Sequence, residues 1–204
     1  MKVLLVRHGQ TRGNIAHRHQ VDHTPLTILG REQVEERAKE IKKFKPTHLV
    51  TSNMVRAIET ARIIGDECDL IPETSEVFME LVRPQRLYGY RHRNYRSLWF
   101  YLWWYLGRNS ASIAEGESYK QLRERIRRAQ AELAQYPTDA RVAVVSHAVF
   151  IAMFVAHLCR TRALTPWQAV KVFSGVLTMP NVHTIEITFN HAHEGKGCAW
   201  SVDT

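Results

Sequence analysis

Near its start the chain reads Val3-Leu4-Leu5-Val6-Arg7-His8-Gly9-Gln10-Thr11, an apolar run that stops abruptly at a charged residue, an imidazole and a glycine. Such a run predicts a buried strand. A second run, Val142-Ala143-Val144-Val145, predicts another strand and leads directly into Ser146-His147. Ligands of open α/β sheets bind at the carboxyl ends of the strands. We therefore expect His8 and His147 to face one another across one pocket.

Strand and helix patterns alternate along the rest of the chain. Further strands are predicted at 48–52, near 69–71, at 184–189 and at 199–202. Helices are predicted after the N-cap Thr27, over 53–64 with Gly65 as the stop, after the capping box Ser118-x-x-Gln121, and from 148 to about 158. The alternation predicts an α/β fold, a three-layer α/β/α sandwich whose mostly parallel sheet is covered on both faces. No internal repeat divides the chain, so residues 1–204 are predicted to form a single domain.

Residues from about 83 to 116 break this alternation and predict an inserted helical cap. The segment is rich in arginine and contains the aromatic block Trp99-Phe100-Tyr101-Leu102-Trp103-Trp104-Tyr105. We expect these rings to pack within the cap. The alternative is that they line a pocket for an apolar part of a substrate.

The composition is that of an ordinary globular protein, with 45% hydrophobic and 24% charged residues. Three cysteines without Cys-x-x-Cys spacing predict free thiols in a reducing compartment. The first residues do not resemble a signal peptide, and the longest apolar stretch, 98–106, is too short to cross a bilayer. We therefore expect a cytoplasmic protein without a membrane partner. The sequence does not indicate the oligomeric state.

The net charge of +8 favours an acidic partner. No nucleic-acid reader motif accompanies this charge, so we expect no nucleic-acid partner. One group of arginines lies in a loop-like segment, placed to face an anionic substrate, and a second lies on a predicted helix, where a solvated face is expected. The groups are Arg83, Arg86, Arg91, Arg93 and Arg96, and Arg123, Arg125, Arg127 and Arg128.

The residues at the strand ends suit transfer of a phosphoryl group through a histidine. A neutral imidazole is available as a nucleophile near pH 7, and guanidinium groups match the oxygens of phosphate. A carboxylic acid delivers a proton to the leaving oxygen. Enough fixed positive charge around phosphorus makes a metal ion unnecessary. The candidates are His8 as nucleophile, Arg7 and Arg56 as a clamp, His147 as a donor to a phosphoryl oxygen, and Glu80 as the acid.

Spacing supports three of the candidate positions. Gly9 lets the main chain approach a ligand closely. Arg56 lies in the first turn of a predicted helix, so it and the helix N-terminus point at the same rim of the sheet. His147 likewise begins a helix directly after a strand. The acid is less determined, because three other carboxylates compete with Glu80 on composition alone: Glu73, Glu76 and Glu117.

Five motifs occur along nearly the whole chain. They are 4–11 with Asn14; Pro25-Leu26-Thr27 with Gly30 and Gln33; Ser52-Asn53-Met54-Val55-Arg56-Ala57 with Thr60-Ala61; Glu80 with Gly89; and Val145-Ser146-His147. In this order and spacing they resemble the histidine phosphatase superfamily, also called phosphoglycerate-mutase-like.

The resemblance implies a mixed sheet with one antiparallel strand, and chemistry that uses neither a metal nor another cofactor. It implies that His8 is phosphorylated and that Glu80 donates the proton. It assigns the phosphate pocket to Arg7, Arg56 and His147, with Asn14 as an additional contact. Two departures are visible. Ala148 stands where a glycine is common, and segment 80–89 lacks the shorter Glu-Arg-x-Tyr-Gly form of the glycolytic mutases.

The sequence therefore predicts a phosphatase that hydrolyses a phosphomonoester, a small phosphorylated metabolite or another phosphorylated substrate, through a phosphohistidine at His8. Phosphoglycerate mutase-type transfer is the alternative. A catalytically silent phospho-ligand module is a third, which intact His8 and Glu80 disfavour. Arg83 is either a substrate-specificity residue or a plain surface arginine. Metal sites are the less favoured interpretation of two further groups, His17, His19, Asp22 and His23, and His191, His193 and Cys198.

Overall fold

The computed structural model describes residues 1–107, 116–193 and 197–203 and contains a six-stranded sheet. The strands are β1 (Lys2–Arg7), β2 (His48–Thr51), β3 (Glu73–Thr74), β4 (Arg141–Ser146), β5 (Thr184–Phe189) and β6 (Trp200–Val202). Their order in the sheet is β3-β2-β4-β1-β5-β6. The pairs of β1 with β4, β2 with β4 and β2 with β3 are parallel. Only β5 runs opposite to the other described strands, since it is antiparallel to both neighbours. This confirms the predicted mixed sheet.

Seven α-helices accompany the sheet in the described residues. They are α1 (Arg12–Ile15), α2 (Ile28–Phe44), α3 (Val55–Cys68), α4 (Tyr95–Tyr105), α5 (Tyr119–Leu133), α6 (Ala148–Ala156) and α7 (Pro166–Thr178). Thr27 caps α2 by accepting a hydrogen bond from the Gly30 amide at 2.9 Å. Ser118 and Gln121 form the expected capping box of α5. The sequence predicted both starts because a capping side chain leaves a local signature.

The alternation of side chains along β1 divides the core into two layers. Val3 and Leu5 pack into a cluster with buried residues of α5 and α6, whereas Leu4 and Val6 pack into a cluster with α2 and α3. Successive residues of a strand point to opposite faces, so one apolar run covers both sides of the sheet. The result is the predicted three-layer α/β/α sandwich.

Some element boundaries differ from the prediction. Helix α3 continues past Gly65 to Cys68 and ends at Asp69, which adopts the left-handed conformation with a φ of 56°. A Cβ at Gly65 would lie 2.4 Å from the Leu70 carbonyl oxygen, so this glycine admits the returning chain and does not stop the helix. The strand expected near 69–71 is β3, further along. Helix α7, with a Thr165 and Gln168 capping box, was not predicted.

The described part of the cap, 83–107, consists of a 3₁₀ helix (Gln85–Leu87) followed by α4. Trp104 is 1% exposed and packs its ring against Tyr119 of α5, with 4.8 Å between centroids. Other side chains of α4 are open to solvent, among them Trp99 at 59% exposure. Packing within the cap is confirmed for Trp99 and Trp103, whose ring centroids are 5.3 Å apart, whereas Trp104 joins the cap to α5. Residues 108–115 of the predicted cap lie outside the described residues.

Cys159 and Cys198 form a disulfide bond, with 5.2 Å between their Cα atoms. The expectation of free thiols was therefore wrong for these two residues and holds for Cys68. The bond forms because β6 returns the chain to the end of α6, a proximity that 39 residues of sequence separation conceal. Within the described ranges, no helix combines the length and the apolar character needed to cross a membrane.

Candidate active site

His8 lies directly after β1, and its ring is held by its own neighbour in the chain. Its amide donates to the Ser146 carbonyl at 3.0 Å, so the pairing of β1 with β4 continues to this residue. Its Nδ1 lies 2.7 Å from the Gly9 carbonyl oxygen. A carbonyl oxygen can only accept, so Nδ1 carries the hydrogen of the neutral ring. The lone pair is then on Nε2, which is the atom available for attack.

His147 lies after β4 and faces His8, with 5.1 Å between ring centroids and 56° between ring planes. The expectation that the two strand-end histidines face one another is therefore confirmed. The Nε2 of His147 contacts the Ser52 hydroxyl at 2.9 Å. Ser52 follows β2, so three adjacent strand ends contribute to the pocket. The contribution of Ser52 was not predicted, although its place at a strand end was visible in the sequence.

Both imidazoles are buried, His8 at 3% exposure. Burial lowers the pKa of His8 well below 6.5, and the charges of Arg56 and Arg7 lower it further. Burial, followed by Arg56 and His8, likewise lowers the pKa of His147. Desolvation and nearby positive charge both disfavour an imidazolium ion. Both rings are therefore neutral near pH 7, which is the form that a histidine nucleophile requires.

Two guanidinium groups adjoin the histidines. Arg7 ends β1 and donates through Nη1 to the Met179 carbonyl. Arg56 lies in the first turn of α3, as predicted, and donates through Nη1 to the Val21 carbonyl at 3.1 Å. Burial lowers the pKa of Arg56 to about 10, and the charge of Glu80 opposes this shift. Arg56 therefore stays positive near neutral pH.

Three nitrogens of this pocket are buried and lack a hydrogen-bond partner among the described residues: Arg7 Nε, Arg56 Nε and His147 Nδ1. Buried polar groups in native proteins almost always have a partner. The two Nε atoms carry hydrogens, and charge-assisted bonds to oxyanions are among the strongest that arginine makes. The pocket therefore has the donor set for a phosphoryl group.

Glu80 follows a 3₁₀ helix (Glu76–Phe78), and its carboxylate lies at the N-terminus of α6. It accepts hydrogen bonds from the amides of Leu81 at 2.9 Å, Val149 at 3.3 Å and Phe150 at 3.1 Å. Its charge also acts on the pKa of both Arg7 and Arg56, which places it within electrostatic reach of the pocket.

The other three candidate acids are placed differently. Glu73 and Glu76 are exposed. Glu117 forms a buried ion pair with Arg125, at 2.6 Å from Nη2. The geometry therefore favours Glu80 among the four carboxylates that the sequence left open.

The remaining substrate-binding candidates have contacts of their own. Asn14 completes the capping box of α1, whose N-cap is Thr11, because its side-chain oxygen accepts from the Thr11 amide at 3.0 Å. A Cβ on Gly9 would lie 2.6 Å from the Gly30 carbonyl oxygen, so packing of α2 against the rim already requires a glycine there. Arg83 is half-buried and donates through Nε to the Tyr101 hydroxyl at 2.9 Å. It is therefore not a plain surface arginine. A contact with substrate stays a prediction for all three residues.

Arg125 and the histidine-rich segment around His19 have contacts that the sequence did not indicate. Arg125 does not belong to a solvated face: it is 2% exposed, because it points toward the segment that precedes Glu80. Among the described residues, no three histidine, cysteine, aspartate or glutamate side chains are grouped to hold a metal. His19, which was considered as a ligand, packs against His92 and contacts the Ser97 hydroxyl at 3.0 Å.

Solved structures with this architecture include several phosphatases. The mycobacterial glucosyl-3-phosphoglycerate phosphatase in complex with VO3 superposes with a TM-score of 0.77 at 26% identity, over 100% of this chain and 97% of that one. A phosphoserine phosphatase mutant from Entamoeba histolytica, in complex with phosphoserine, has a TM-score of 0.77 over 100% of this chain and 95% of its own. At 19% identity, the second likeness shows the fold alone.

Sequence relatives include the probable phosphoglycerate mutase GpmB of Enterobacter sp. (strain 638), 29% identical over 168 residues, which are 76% of this chain and 74% of the relative. The protein of the same name from Proteus mirabilis (strain HI4320) is 30% identical over 156 residues, covering 73% and 70% of the two chains. The model of the histidine phosphatase superfamily (branch 1) matches residues 3–189. The chain therefore belongs to the histidine phosphatase superfamily.

Proposed function

We propose that this protein is a metal-independent phosphatase that hydrolyses a phosphomonoester through a phosphohistidine at His8. The observation that carries the proposal is the geometry around His8. A buried, neutral imidazole with Nδ1 bonded to a carbonyl leaves Nε2 as the nucleophile. Arg7, Arg56 and His147 each add a buried nitrogen that has no partner in the described part of the chain. Fixed donors of this kind stabilise the charge that develops on the phosphoryl oxygens.

In the first step, Nε2 of His8 attacks phosphorus and the bond from phosphorus to the ester oxygen breaks. Glu80 gives its proton to that leaving oxygen, so the product departs as an alcohol. Arg7, Arg56 and His147 hold the phosphoryl oxygens during the transfer. The products of this step are phosphohistidine and a glutamate carboxylate.

In the second step, the Glu80 carboxylate takes a proton from water, and the water oxygen attacks phosphorus. The bond from phosphorus to Nε2 breaks, inorganic phosphate leaves, and both residues return to their starting protonation states. One residue acts first as an acid and then as a base, because the second step reverses the direction of the first proton transfer.

Phosphoglycerate mutase-type transfer is the second candidate, supported by the names of the sequence relatives. It shares the first step and then returns the phosphoryl group to a bound acceptor. The lack of the short Glu-Arg-x-Tyr-Gly form in 80–89 argues against it. The likeness to a glucosyl-3-phosphoglycerate phosphatase favours hydrolysis.

The substrate that we propose is a small phosphorylated molecule with anionic charge beyond its reacting phosphate. The arginines of the cap support this choice, Arg83 most directly, because it lies near enough to Glu80 for the carboxylate to affect its pKa.

We propose that the protein is located in the cytoplasm, because the chain contains few cysteines. The Cys159–Cys198 disulfide argues in the other direction, and thiol labelling in intact cells tests the point.

Release of inorganic phosphate from a nitrophenyl phosphate, with and without added bisphosphoglycerate, tests this function. We expect release that does not depend on bisphosphoglycerate and is unchanged by a chelator. An acid-labile, alkali-stable phosphoprotein should be trapped in mid-reaction. A strict requirement for bisphosphoglycerate would favour the mutase, whereas binding without turnover would favour the silent module. Loss of activity on chelation would contradict metal independence.

A further inference from the structure

Arg125 is a buried charge at a position where α5 otherwise presents apolar side chains to the core. Its neighbours on that stripe are Leu122, Ile126, Ala129 and Leu133, all buried. Burying an arginine is costly unless its charge is paired and its donors are satisfied. The contacts of Arg125 explain how this position accommodates it.

Each of the five N–H groups of Arg125 has an acceptor. Nε and Nη2 bind the two oxygens of Glu117, at 2.8 and 2.6 Å. Nη1 donates to the Val77 and Met79 carbonyls, at 3.0 and 2.6 Å, and Nη2 to the Glu80 carbonyl, at 3.4 Å. The guanidinium carbon also lies 4.9 Å from the centre of the Phe150 ring. A lysine could not reproduce this planar set of five donors.

The carbonyls that Arg125 binds belong to the segment that carries Glu80. The fourth carbonyl of that segment, on Phe78, accepts from the Ser146 hydroxyl at 2.6 Å. Four successive main-chain carbonyls, 77–80, are therefore held by side chains of α5 and β4. The Glu80 carboxylate is in turn bonded to amides at the start of α6. Movement of the segment would carry the carboxylate away from these amides.

We propose that Arg125 is a positioning residue that sets the Glu80 carboxyl group for proton transfer. Arg125 acts by fixing the main chain of 77–80, and Glu117 holds the guanidinium group of Arg125 in place. This inference rests on the proposed function, because it takes Glu80 as the acid. Arg125 itself does not touch the reacting atoms.

The test compares two substrates that differ in their need for the acid. A simple alkyl phosphate has a poor leaving group, whereas a nitrophenyl phosphate leaves with little help from a proton. The parameter compared is kcat/KM, which reports only the steps through phosphorylation of His8, because Glu80 also acts as the base in the second step, which both substrates share. We expect Arg125→Lys to lower kcat/KM for the alkyl phosphate by about 10- to 100-fold and kcat/KM for the nitrophenyl phosphate by no more than about threefold. Arg128→Lys, at an exposed position of the same helix, is the matched control and should change neither.

A double-mutant cycle separates positioning from a general loss of structure. If Arg125 acts through Glu80, then adding Arg125→Lys to Glu80→Gln should reduce kcat/KM for the alkyl phosphate no further. The proposal would be overturned if the two losses in kcat/KM multiplied, if the losses were equal for both substrates, or if kcat/KM did not change. Should Arg125→Lys not fold, Glu117→Gln takes its place. We expect it to lower kcat/KM for the alkyl phosphate by about two- to fivefold and to leave kcat/KM for the nitrophenyl phosphate nearly unchanged. An equal loss on both substrates would contradict the positioning role.

His8→Ala in the same assays distinguishes failure of this proposal from failure of the proposed function. Full activity of His8→Ala would overturn the phosphohistidine mechanism, whatever Arg125 does. An inactive His8→Ala together with an additive cycle would overturn the positioning role alone.

Discussion

The rim of the sheet that carries His8 and His147 is almost fully enclosed, whereas the cap that begins at Arg83 leaves much of its apolar surface open to solvent. In the rim, main-chain groups or buried hydroxyls hold the catalytic candidates. In the cap, α4 buries Trp104 and exposes Trp99. Side chains that are buried and hydrogen-bonded are held in one conformation, whereas exposed side chains can change conformation to fit different ligands. We therefore propose that the rim carries the phosphoryl chemistry and that the cap is the region where substrates are distinguished.

The strongest test of this contrast removes the nucleophile. His8→Ala should lower kcat/KM for every phosphomonoester by at least about 10³-fold, because no phosphohistidine can form. Phosphate release and the trapped phosphoprotein measure the effect. His193→Ala, at an exposed position far along the chain, is the control. If the activity of His8→Ala were near that of the control, His8 and the rim around it would not be needed for the reaction.

Loss of the acid should be large but dependent on the substrate. Glu80→Gln should reduce kcat/KM by about 10²–10⁴-fold for an alkyl phosphate and much less for a nitrophenyl phosphate, whose leaving group needs little help from a proton. Glu76→Gln, an exposed change four residues earlier, should have little effect. An inactive Glu76→Gln beside an active Glu80→Gln would show that the acid was assigned wrongly.

A change in the cap should alter preference more than rate. Arg83→Met should lower kcat/KM by about tenfold for a phosphomonoester with a carboxylate, because a charge-assisted hydrogen bond is lost, and by less than threefold for an uncharged aryl phosphate. Arg86→Met, an exposed neighbour, is the matched control. Equal losses in kcat/KM on both substrates would show that Arg83 serves the common chemistry, as the residues of the rim do, and does not select substrates.

The smallest effect concerns pH. Burial lowers the pKa of His8 well below 6.5, so the ring stays neutral as the pH falls through that value. We expect kcat/KM for a nitrophenyl phosphate, corrected for the substrate's own titration, to change less than twofold between pH 7.5 and 5.5. A histidine with an ordinary pKa would lose about tenfold over this range. A pH profile of kcat/KM with a midpoint near 6.5 would show that His8 is not buried as the structure places it.

The same lowering has a consequence for stability. Below pH 6.5 the unfolded chain binds protons at His8 and His147 that the folded chain does not, so the free energy of unfolding should fall as the pH falls. Melting temperatures at pH 7.5 and 5.5 measure it. The loss should be smaller in His147→Asn, which has one of the two rings removed.

The rim could be predicted from the sequence because each residue there follows directly from a strand or a first helical turn. An apolar run that ends in a histidine places that histidine without knowledge of distant contacts. Arg125 could not be placed in this way, since helical spacing alone does not say what packs against α5. The Cys159–Cys198 bond has the same cause: it depends on the return of β6 to the end of α6. Long-range contacts, which single positions do not encode, decide both cases.

The pairing of β1 with β4 continues into the candidate catalytic residues, which bears on how the cap of such a protein can be exchanged. The amide of His8 still bonds to the Ser146 carbonyl, so the 5.1 Å between the two imidazoles follows from the distance between neighbouring strands, about 4.8 Å. Exchanging the cap for that of a relative would leave this backbone ladder untouched. A chimaera of this kind should take its choice of substrate from the relative that supplies the cap, while the spacing of the two imidazoles stays the same.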